Sequence, residues 1–229
     1  MFIAQHLYLL AALYFSFWWV LFFLISKNKR WEILALSLMG IVLGPLVQQI
    51  HLIDWWQPHF VFNTPIKLED VLFGFSVPGV AIATYDILRS KVVARQNTVP
   101  FVLKIFLASI TTLLLFGLFC YFGVSSFWSS IISLCIPICF IAIVSPRLIP
   151  SMLLTGVFLV ILVVPGYLFG IYLNPHWIQN EWLLSNLSGR FVLGIPIEEL
   201  LWFFFVGAGL SATKEILFSP TRGRNQPPR

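Results

Sequence analysis

The amino-acid sequence predicts an all-α polytopic membrane protein, from its composition, its seven apolar segments and an internal repeat. Of its 229 residues, 59% are hydrophobic and 10% are charged, and the mean hydropathy is +0.92. Soluble domains carry about 25% charged residues, so this composition excludes an ordinary soluble enzyme and indicates a surface in contact with lipid. The formal net charge of +5 does not indicate nucleic-acid binding, because the basic residues form short clusters between apolar segments.

Seven segments are long and apolar enough to cross a bilayer, for which about 20 residues are needed. In chain order they are residues 4–26, 33–53, 66–88, 100–122, 127–144, 151–173 and 191–217. The first segment has neither a basic n-region nor a small-residue cleavage site, so it is predicted to be a retained helix rather than a signal peptide.

The distribution of basic residues predicts the orientation of these spans. Of the 14 Lys and Arg residues, all but Lys67 and Arg190 lie in or next to the loops on one side, or at and beyond the end of the seventh segment. The positive-inside rule then predicts a multi-pass protein of the cell membrane, with an outside N-terminus and a cytoplasmic C-terminus. The tail, residues 219–229, is basic and rich in Pro and Gly, and is predicted to be disordered.

The third and seventh segments resemble each other. "LEDVLFGFSVPGVAIATYDIL" and "IEELLWFFFVGAGLSATKEIL" align without a gap at an offset of 129 positions. The alignment matches two paired acids at one end, Ala-Thr further along, and a later acid, Asp86 or Glu215. Parallel three-helix repeats need one connecting helix. The sequence therefore predicts a 3+1+3 layout, with a first repeat at 1–99, a linker helix at 100–122, a second repeat at 123–218 and the tail at 219–229.

The paired acids are the candidate functional residues, because carboxylates within apolar segments are costly and mark functional sites. Glu69 and Asp70 are expected about one turn inside the third span. Glu198 and Glu199 lie about two turns inside the seventh, or in its first turn if Pro196 is the first helical residue. Such acids can simply cap a helix and complement its dipole. Their repetition at equivalent positions favours a functional role.

Other polar groups are expected on the same, outer side of the bundle, where the second span ends with Gln48, Gln49, His51 and Asp54. The cytoplasmic half of the spans is predicted to be almost free of polar residues. An aromatic belt at the outer interface is predicted for Trp55, Trp56, Trp177 and Trp182, and loop positions there for His59 and His176. The three cysteines are predicted to be buried thiols rather than metal ligands, since no further Cys or His lies near them.

Phe73 and Trp202 differ from the belt residues, because each lies one turn beyond an acid and inside the apolar zone. An apolar pocket disfavours the ionised form of a carboxyl group, so that the group can hold and donate a proton. Aromatic faces stabilise a nearby cation. A helix N-terminus acts against proton retention, whereas a second acid nearby favours it. The combination suits protonation of an alkene followed by carbocation rearrangement.

The stretch "GIPIEELLWFF" at residues 194–204 resembles the Pro-x-Glu-Glu motif of the small membrane-integral lycopene cyclases of some bacteria and archaea, which are related to the membrane domain of a fungal bifunctional enzyme. The chain length, the seven predicted spans and the duplicated halves are similar to the fused single-chain form of that family. Pro196, Glu198 and Glu199 carry the motif. In the first half "KLED" has Lys67 in the place of Pro, so only Glu69 and Asp70 carry over.

The resemblance implies a cofactor-free cyclisation of a linear carotenoid, lycopene, without redox change and without a metal. A carboxylic acid protonates the terminal double bond, an internal double bond attacks the cation, and a base removes a proton to give a ring, most commonly the β ring. The resemblance implies that the acid and the base come from the four carboxylates and that the substrate is bound by Trp202, Phe73, Pro196, Gln48 and Gln49. The sequence has no Gly-x-Gly-x-x-Gly after a strand that would bind a flavin. Several points stay open: the ring type (β, ε or γ), the number of ends closed, the choice between C40 and C50 substrates, the assignment of acid and base, and the oligomeric state.

The alternative is a small-solute transporter of the SWEET type, which has the same 3+1+3 layout. A sugar path should carry polar residues along its length, and their expected scarcity in the cytoplasmic half argues against it. A retinal protein would need a lysine in the middle of the seventh span, but Lys214 is at its cytoplasmic end. An intramembrane protease of the Glu-Glu-x-x-x-Arg type is excluded by Phe203 in the Arg position.

Overall fold

The computed structural model of the protein describes residues 5–89, 114–115 and 117–218. Three short 3₁₀ turns, Lys27–Lys29, Pro146–Leu148 and Leu184–Asn186, join or follow the α-helices. Residues 117–122, at the end of the predicted fourth span, are also helical. The elements in chain order are α1 (Leu7–Ile25), α2 (Arg30–Asp54), α3 (Leu68–Leu88), α4 (Ser126–Val144), α5 (Ile149–Leu173), α6 (Trp177–Glu181), β1 (Phe191–Val192), β2 (Ile195–Pro196) and α7 (Ile197–Phe218).

Six of the helices in the described residues, α1 to α5 and α7, are long and apolar enough to cross a membrane, with mean hydropathies from 1.4 to 2.5. The protein is therefore a multi-pass α-helical membrane protein, as predicted. The fourth predicted span, 100–122, and the tail, 219–229, lie mostly or wholly outside the described residues. The count of seven spans and the orientation stay predictions.

The starts of α3 and α7 differ from the predicted spans. A β1–β2 hairpin pairs Phe191 with Pro196, and its turn holds Leu193 and Gly194 at φ of 54° and 80°. Helix α7 therefore begins at Ile197 rather than at residue 191, and Pro196 belongs to a strand. Both acidic pairs lie in the first turn of their helices. For Glu198 and Glu199 this is the second of the two predicted positions, although Pro196 precedes the helix. For Glu69 and Asp70 it is shallower than predicted.

The described helices pack as two groups with the same internal pattern. Helix α3 packs against α1 and α2, and α7 packs against α4 and α5; the two groups meet mainly where α3 contacts α7 and α5. Small residues bring the backbones together in each group. A Cβ on Gly40 would overlap the carbonyl oxygen of Gly74, and one on Gly207 would lie 2.9 Å from Cα of Gly156. Such close approaches are typical of helices that pack in membranes.

The end of the bundle away from the acidic pairs contains a group of charged residues, and the prediction that this half is almost free of polar groups was wrong. Lys214 of α7 is 2% exposed and contacts Asp86 of α3 and Glu32 of α2. Arg89, which follows α3, donates to Oε1 of Glu215 at 2.5 Å. Sequence reasoning assigned these residues to separate helix ends, whereas packing pairs them across the two groups. We call Lys29, Glu32, Asp86, Arg89, Lys214 and Glu215 the charged cluster.

The outer surface of the helices is apolar, as contact with lipid requires. Ile143, for example, is 83% exposed and Trp31 is 71% exposed. Two of the three cysteines, Cys120 and Cys139, are also exposed, and Cys135 is half-buried. The prediction that the cysteines are buried was therefore wrong for Cys120 and Cys139, because an apolar residue of a membrane helix can face lipid as well as the protein interior.

Candidate functional site

A cavity of about 340 Å³ lies between the two helix groups and extends from the end of the bundle that contains the acidic pairs along α7 to Leu217. Its wall is mostly apolar, and α1 to α5 and α7 all contribute to it. We call it the central cavity. The polar and aromatic side chains in its wall that matter below are those of Tyr8, Gln48, His51, Asp70, Phe73, Tyr167, Trp182, Glu199 and Trp202.

The second acid of each pair lines the central cavity and accepts a hydrogen bond from a buried tyrosine. Oδ1 of Asp70 accepts from the Tyr8 hydroxyl at 2.8 Å. Oε2 of Glu199 accepts from the Tyr167 hydroxyl at 2.6 Å, and its Oε1 accepts from Nε1 of Trp182 at 2.7 Å. Asp70 and Glu199 therefore present hydrogen-bonded carboxyl groups to one shared apolar space.

The first acid of each pair has a different role, and it is the same role in both halves. Oε1 of Glu69 accepts from the backbone N–H of Val61 at 2.7 Å, and Oε1 of Glu198 accepts from the N–H of Ser188 at the same distance. Each of these acids thus holds the loop that precedes its own helix. Neighbouring residues on an α-helix point about 100° apart, so one acid of each pair can anchor a loop while the next faces the cavity.

Aromatic rings surround the two inward-facing acids. Phe73 and Trp202, which occupy equivalent repeat positions, stack with ring centroids 6.3 Å apart. Phe15 and Phe203 stack next to them at 5.4 Å. The structure thus brings Phe73 and Trp202 together in the cavity wall, where their ring faces can stabilise positive charge.

The predicted outer aromatic belt was wrong for Trp55, Trp177 and Trp182, each of which is only 4% exposed and lines the central cavity. The segment between α2 and α3 and the segment between α5 and α7 fold back over the helix ends, so these rings turn inward. Leu183 donates its N–H to the carbonyl of Trp55 at 2.9 Å, and Trp56 forms a β-bridge with Trp182. These contacts link the two connecting segments across the end of the bundle that carries the acidic pairs.

Of the other residues predicted to bind substrate, Gln48 lines the central cavity, whereas Gln49 and Pro196 do not. Gln48 is buried and lines the central cavity. Gln49 is exposed and its amide donates to the Pro45 carbonyl, and Pro196 is buried in the hairpin. Neither Gln49 nor Pro196 lines the cavity.

Tyr8 and Tyr167 were missed by sequence reasoning, as was the inward position of Trp182. The available signal was a tyrosine hydroxyl inside an apolar span, where it needs a partner. The tyrosines come from α1 and α5, which are not equivalent in the repeat, so the repeat alone could not indicate them.

A further buried acid, Glu181, lies outside the membrane-spanning segments, at the end of α6. Burial raises the pKa of the Glu181 carboxyl, while hydrogen bonds from Trp177 and His59 act in the opposite direction. Nε1 of Trp177 donates to Glu181 Oε2 at 2.9 Å, and His59 Nδ1 lies 3.1 Å from Oε1. His59, predicted to be an interfacial loop residue, thus ties the segment between α2 and α3 to the segment between α5 and α7.

No protein-family model, no curated protein and no solved structure matches this chain.

Proposed function

We propose that the protein is a cofactor-independent lycopene cyclase, forming most simply a β ring at the ψ end group of a linear carotenoid. One observation carries this proposal: Asp70 and Glu199, each hydrogen-bonded to a buried tyrosine, face a single aromatic-lined apolar cavity within a membrane-spanning bundle. Apolar ligands reach such a cavity from the bilayer, and a carboxyl group there can keep a proton for transfer to carbon.

The proposed reaction needs only proton transfers. One of the two carboxyl groups donates its proton to the terminal double bond, and the internal double bond attacks the resulting tertiary cation to close the ring. The other group, as carboxylate, removes a proton from the ring, so the product is an isomer of the substrate. Phe73 and Trp202 stabilise the cation through their ring faces. Tyr8 and Tyr167 act as positioning residues that orient the carboxyl groups.

Glu69 and Glu198 are assigned a structural role in this proposal, because both accept backbone N–H groups from loops. The division sharpens the sequence hypothesis, in which all four acids were candidates. It also supplies matched control variants for each proposed catalytic residue, one position earlier in the chain.

The test is co-expression with a lycopene-producing pathway, followed by pigment analysis. The wild-type protein should convert red lycopene to yellow-orange cyclic product. Glu199→Gln and Asp70→Asn should each lower conversion by at least about 100-fold, the usual scale of general acid–base catalysis. Glu198→Gln and Glu69→Gln should retain most of it, because the amide oxygen can still accept the loop N–H. Persistence of lycopene with folded wild-type protein would refute the cyclase proposal. Loss of conversion in the control variants but not in Glu199→Gln would refute the division of roles.

We also propose the finer topology: seven spans in a 3+1+3 arrangement, with the N-terminus outside and the C-terminus in the cytoplasm. The matching packing of α1–α3 and of α4, α5 and α7 supports the two repeats. Single cysteines placed at Ser188 and Asn225 should react with a membrane-impermeant maleimide from opposite sides of intact cells and inverted vesicles. Labelling of both from one side contradicts this topology.

A transporter of the SWEET type is the second candidate, and the charged cluster favours it. Lys214–Asp86 and Arg89–Glu215 join the two helix groups at the end opposite the acids, where breakable ion pairs between two halves could form a gate. Uptake of labelled sugar into vesicles, with no change in lycopene in the pigment assay, would support the transporter over the cyclase.

A further inference from the structure

Gln48 is a buried polar residue for which the cyclase reaction has no use. Its side chain is 6% exposed and lines the central cavity, and its amide nitrogen has no hydrogen-bond partner among the described residues. Buried amide groups are almost always hydrogen-bonded, because an unpaired donor loses its bonds to water without replacement. A purely hydrocarbon ligand would leave this donor unpaired.

His51 lies one helical turn further along α2 and lines the same cavity. Its Nε2 is 3.1 Å from Oγ of Ser130, and Oγ of Ser130 in turn lies 2.8 Å from the carbonyl oxygen of Ser126. The single hydroxyl proton goes to the carbonyl, which can only accept. Ser130 Oγ therefore accepts from His51, and Nε2 of His51 carries the ring proton.

This tautomer leaves Nδ1 of His51 as a hydrogen-bond acceptor, and no bond to it is formed by the described residues. Residues three apart on a helix lie on one face. Gln48 and His51 thus supply one donor and one acceptor on the face of α2 that lines the cavity. An alcohol oxygen is the group that satisfies both, since it accepts one hydrogen bond and donates another.

The pair lies close to the inward-facing acids. A Cβ on Gly44, one turn before Gln48, would be 3.2 Å from the Asp70 carbonyl oxygen. The His51 ring is 6.3 Å from the ring of Trp202, which is one turn beyond Glu199. An end group positioned for protonation by Asp70 or Glu199 would therefore lie next to Gln48 and His51.

We propose that Gln48 and His51 form an alcohol-binding subsite, and that the ligand of the central cavity is an acyclic isoprenoid with a hydroxyl group on its bound end group. The isoprenoid character of the ligand rests on the proposed function, whereas the alcohol subsite rests on the two side chains. Gln48 donates to the hydroxyl oxygen, and the hydroxyl donates to Nδ1 of His51. Ser133, also in the cavity wall, donates its proton to the Ser129 carbonyl and is not part of the pair.

The subsite is tested by ligand binding to the purified full-length protein in detergent, measured by quenching of tryptophan fluorescence, since Trp55, Trp182 and Trp202 line the cavity. The probes are lycopene, 16-hydroxylycopene, which keeps the terminal double bond that the proposed reaction protonates, and the methyl ether of that alcohol. The wild-type protein should bind the alcohol about tenfold more tightly than lycopene, as two net hydrogen bonds would give. The ether cannot donate to His51 and should lose most of this preference.

Gln48→Leu and His51→Phe should each still bind lycopene but reduce the preference for the alcohol over lycopene to less than about threefold, because each removes one of the two hydrogen bonds. The lycopene affinity serves as the check that the cavity is intact. Gln57→Leu is the matched control, because Gln57 is exposed and donates to the Leu52 carbonyl outside the cavity. It should keep the full preference.

Equal binding of the alcohol and lycopene by the wild-type protein would overturn the subsite, as would a preference that survives in both Gln48→Leu and His51→Phe. The cyclase proposal fails separately, through the pigment assay. A preference for the alcohol without ring formation would support the subsite and refute the cyclase proposal. Ring formation with equal binding of the alcohol and lycopene would support the cyclase proposal and refute the subsite.

Discussion

Removal of the Lys214 charge should destabilise the protein by about 3 kcal/mol. The Lys214 side chain is 2% exposed and contacts Asp86 and Glu32, which are 13% and 17% exposed. The substitution Lys214→Met keeps the chain length and leaves both acids without this partner. Losing one member of a fully buried pair costs roughly 3–5 kcal/mol. The lower end applies because the two acids keep some solvent contact and Glu32 keeps Lys29 at 2.7 Å.

The free energy of unfolding is measured by reversible SDS titration in mixed micelles, followed by circular dichroism. Lys29→Met is the matched control: Lys29 contacts Glu32 but is 47% exposed, so its removal should cost less than about 1 kcal/mol. The double variant Lys214→Met/Asp86→Leu should recover more than half of the loss, because it removes an orphaned acid together with its partner.

The result that refutes this reasoning is a Lys214→Met protein within about 1 kcal/mol of wild type, or one no less stable than Lys29→Met. Either would mean that the charges are solvated and that the ion pairs do not hold the two helix groups together. A double variant as unstable as the single one would place the cost in lost packing of the lysine stem rather than in uncompensated charge.

Three further outcomes are expected. Gly40→Ala places a Cβ where the Gly74 carbonyl oxygen lies and should lower the free energy of unfolding by about 2 kcal/mol. Gly117→Ala, whose Cβ would meet no described residue within 4 Å, should change it by less than about 0.5 kcal/mol. Equal effects of the two substitutions in the SDS titration would contradict the close packing. Tyr167→Phe removes the 2.6 Å hydrogen bond to Glu199 and should lower lycopene conversion about tenfold, because the carboxyl group is then misplaced. Tyr172→Phe, at an 81% exposed site, should leave conversion unchanged. Unchanged conversion in Tyr167→Phe would refute the positioning role of Tyr167. Glu181→Gln should stabilise the protein relative to wild type more at pH 8 than at pH 5. Burial raises the pKa of the Glu181 carboxyl, so the wild-type protein loses stability as the pH rises through the folded-state pKa. Thermal unfolding at both pH values measures this difference, and an opposite sign would show that the ionised form is the favoured one in the folded protein.

Much of the fold could be predicted from hydropathy, because each spanning helix must supply its own apolar surface and satisfy its own backbone. Five predicted spans correspond to α1 to α5 within a few residues. The start of α7 could not be found in this way, since residues 191–196 are apolar enough to extend the span but form a hairpin. Hydropathy records that a residue is apolar and not which backbone conformation it adopts.

The candidate site could be predicted in part, through the repeat. Alignment of the third and seventh spans indicated two acidic pairs and the aromatic residues Phe73 and Trp202, and the structure brings these two rings together. The alignment could not indicate which acid of each pair faces the cavity, because that depends on how α3 and α7 are rotated about their axes against the neighbouring helices. Tyr8 and Tyr167 contact the acids only through interhelical packing, over 62 and 32 positions of the chain.

By itself the sequence determined that the chain crosses a membrane several times and that acids lie at the ends of two similar helices, because solvation and helix length depend on local composition. Only the tertiary structure decided that Asp70 and Glu199 share a cavity while Glu69 and Glu198 hold loops. It also decided that three tryptophans turn inward and that Lys214 is paired across the bundle. These features depend on which helix faces meet, and in an almost uniformly apolar sequence the contacts between helices, not hydropathy, set those faces.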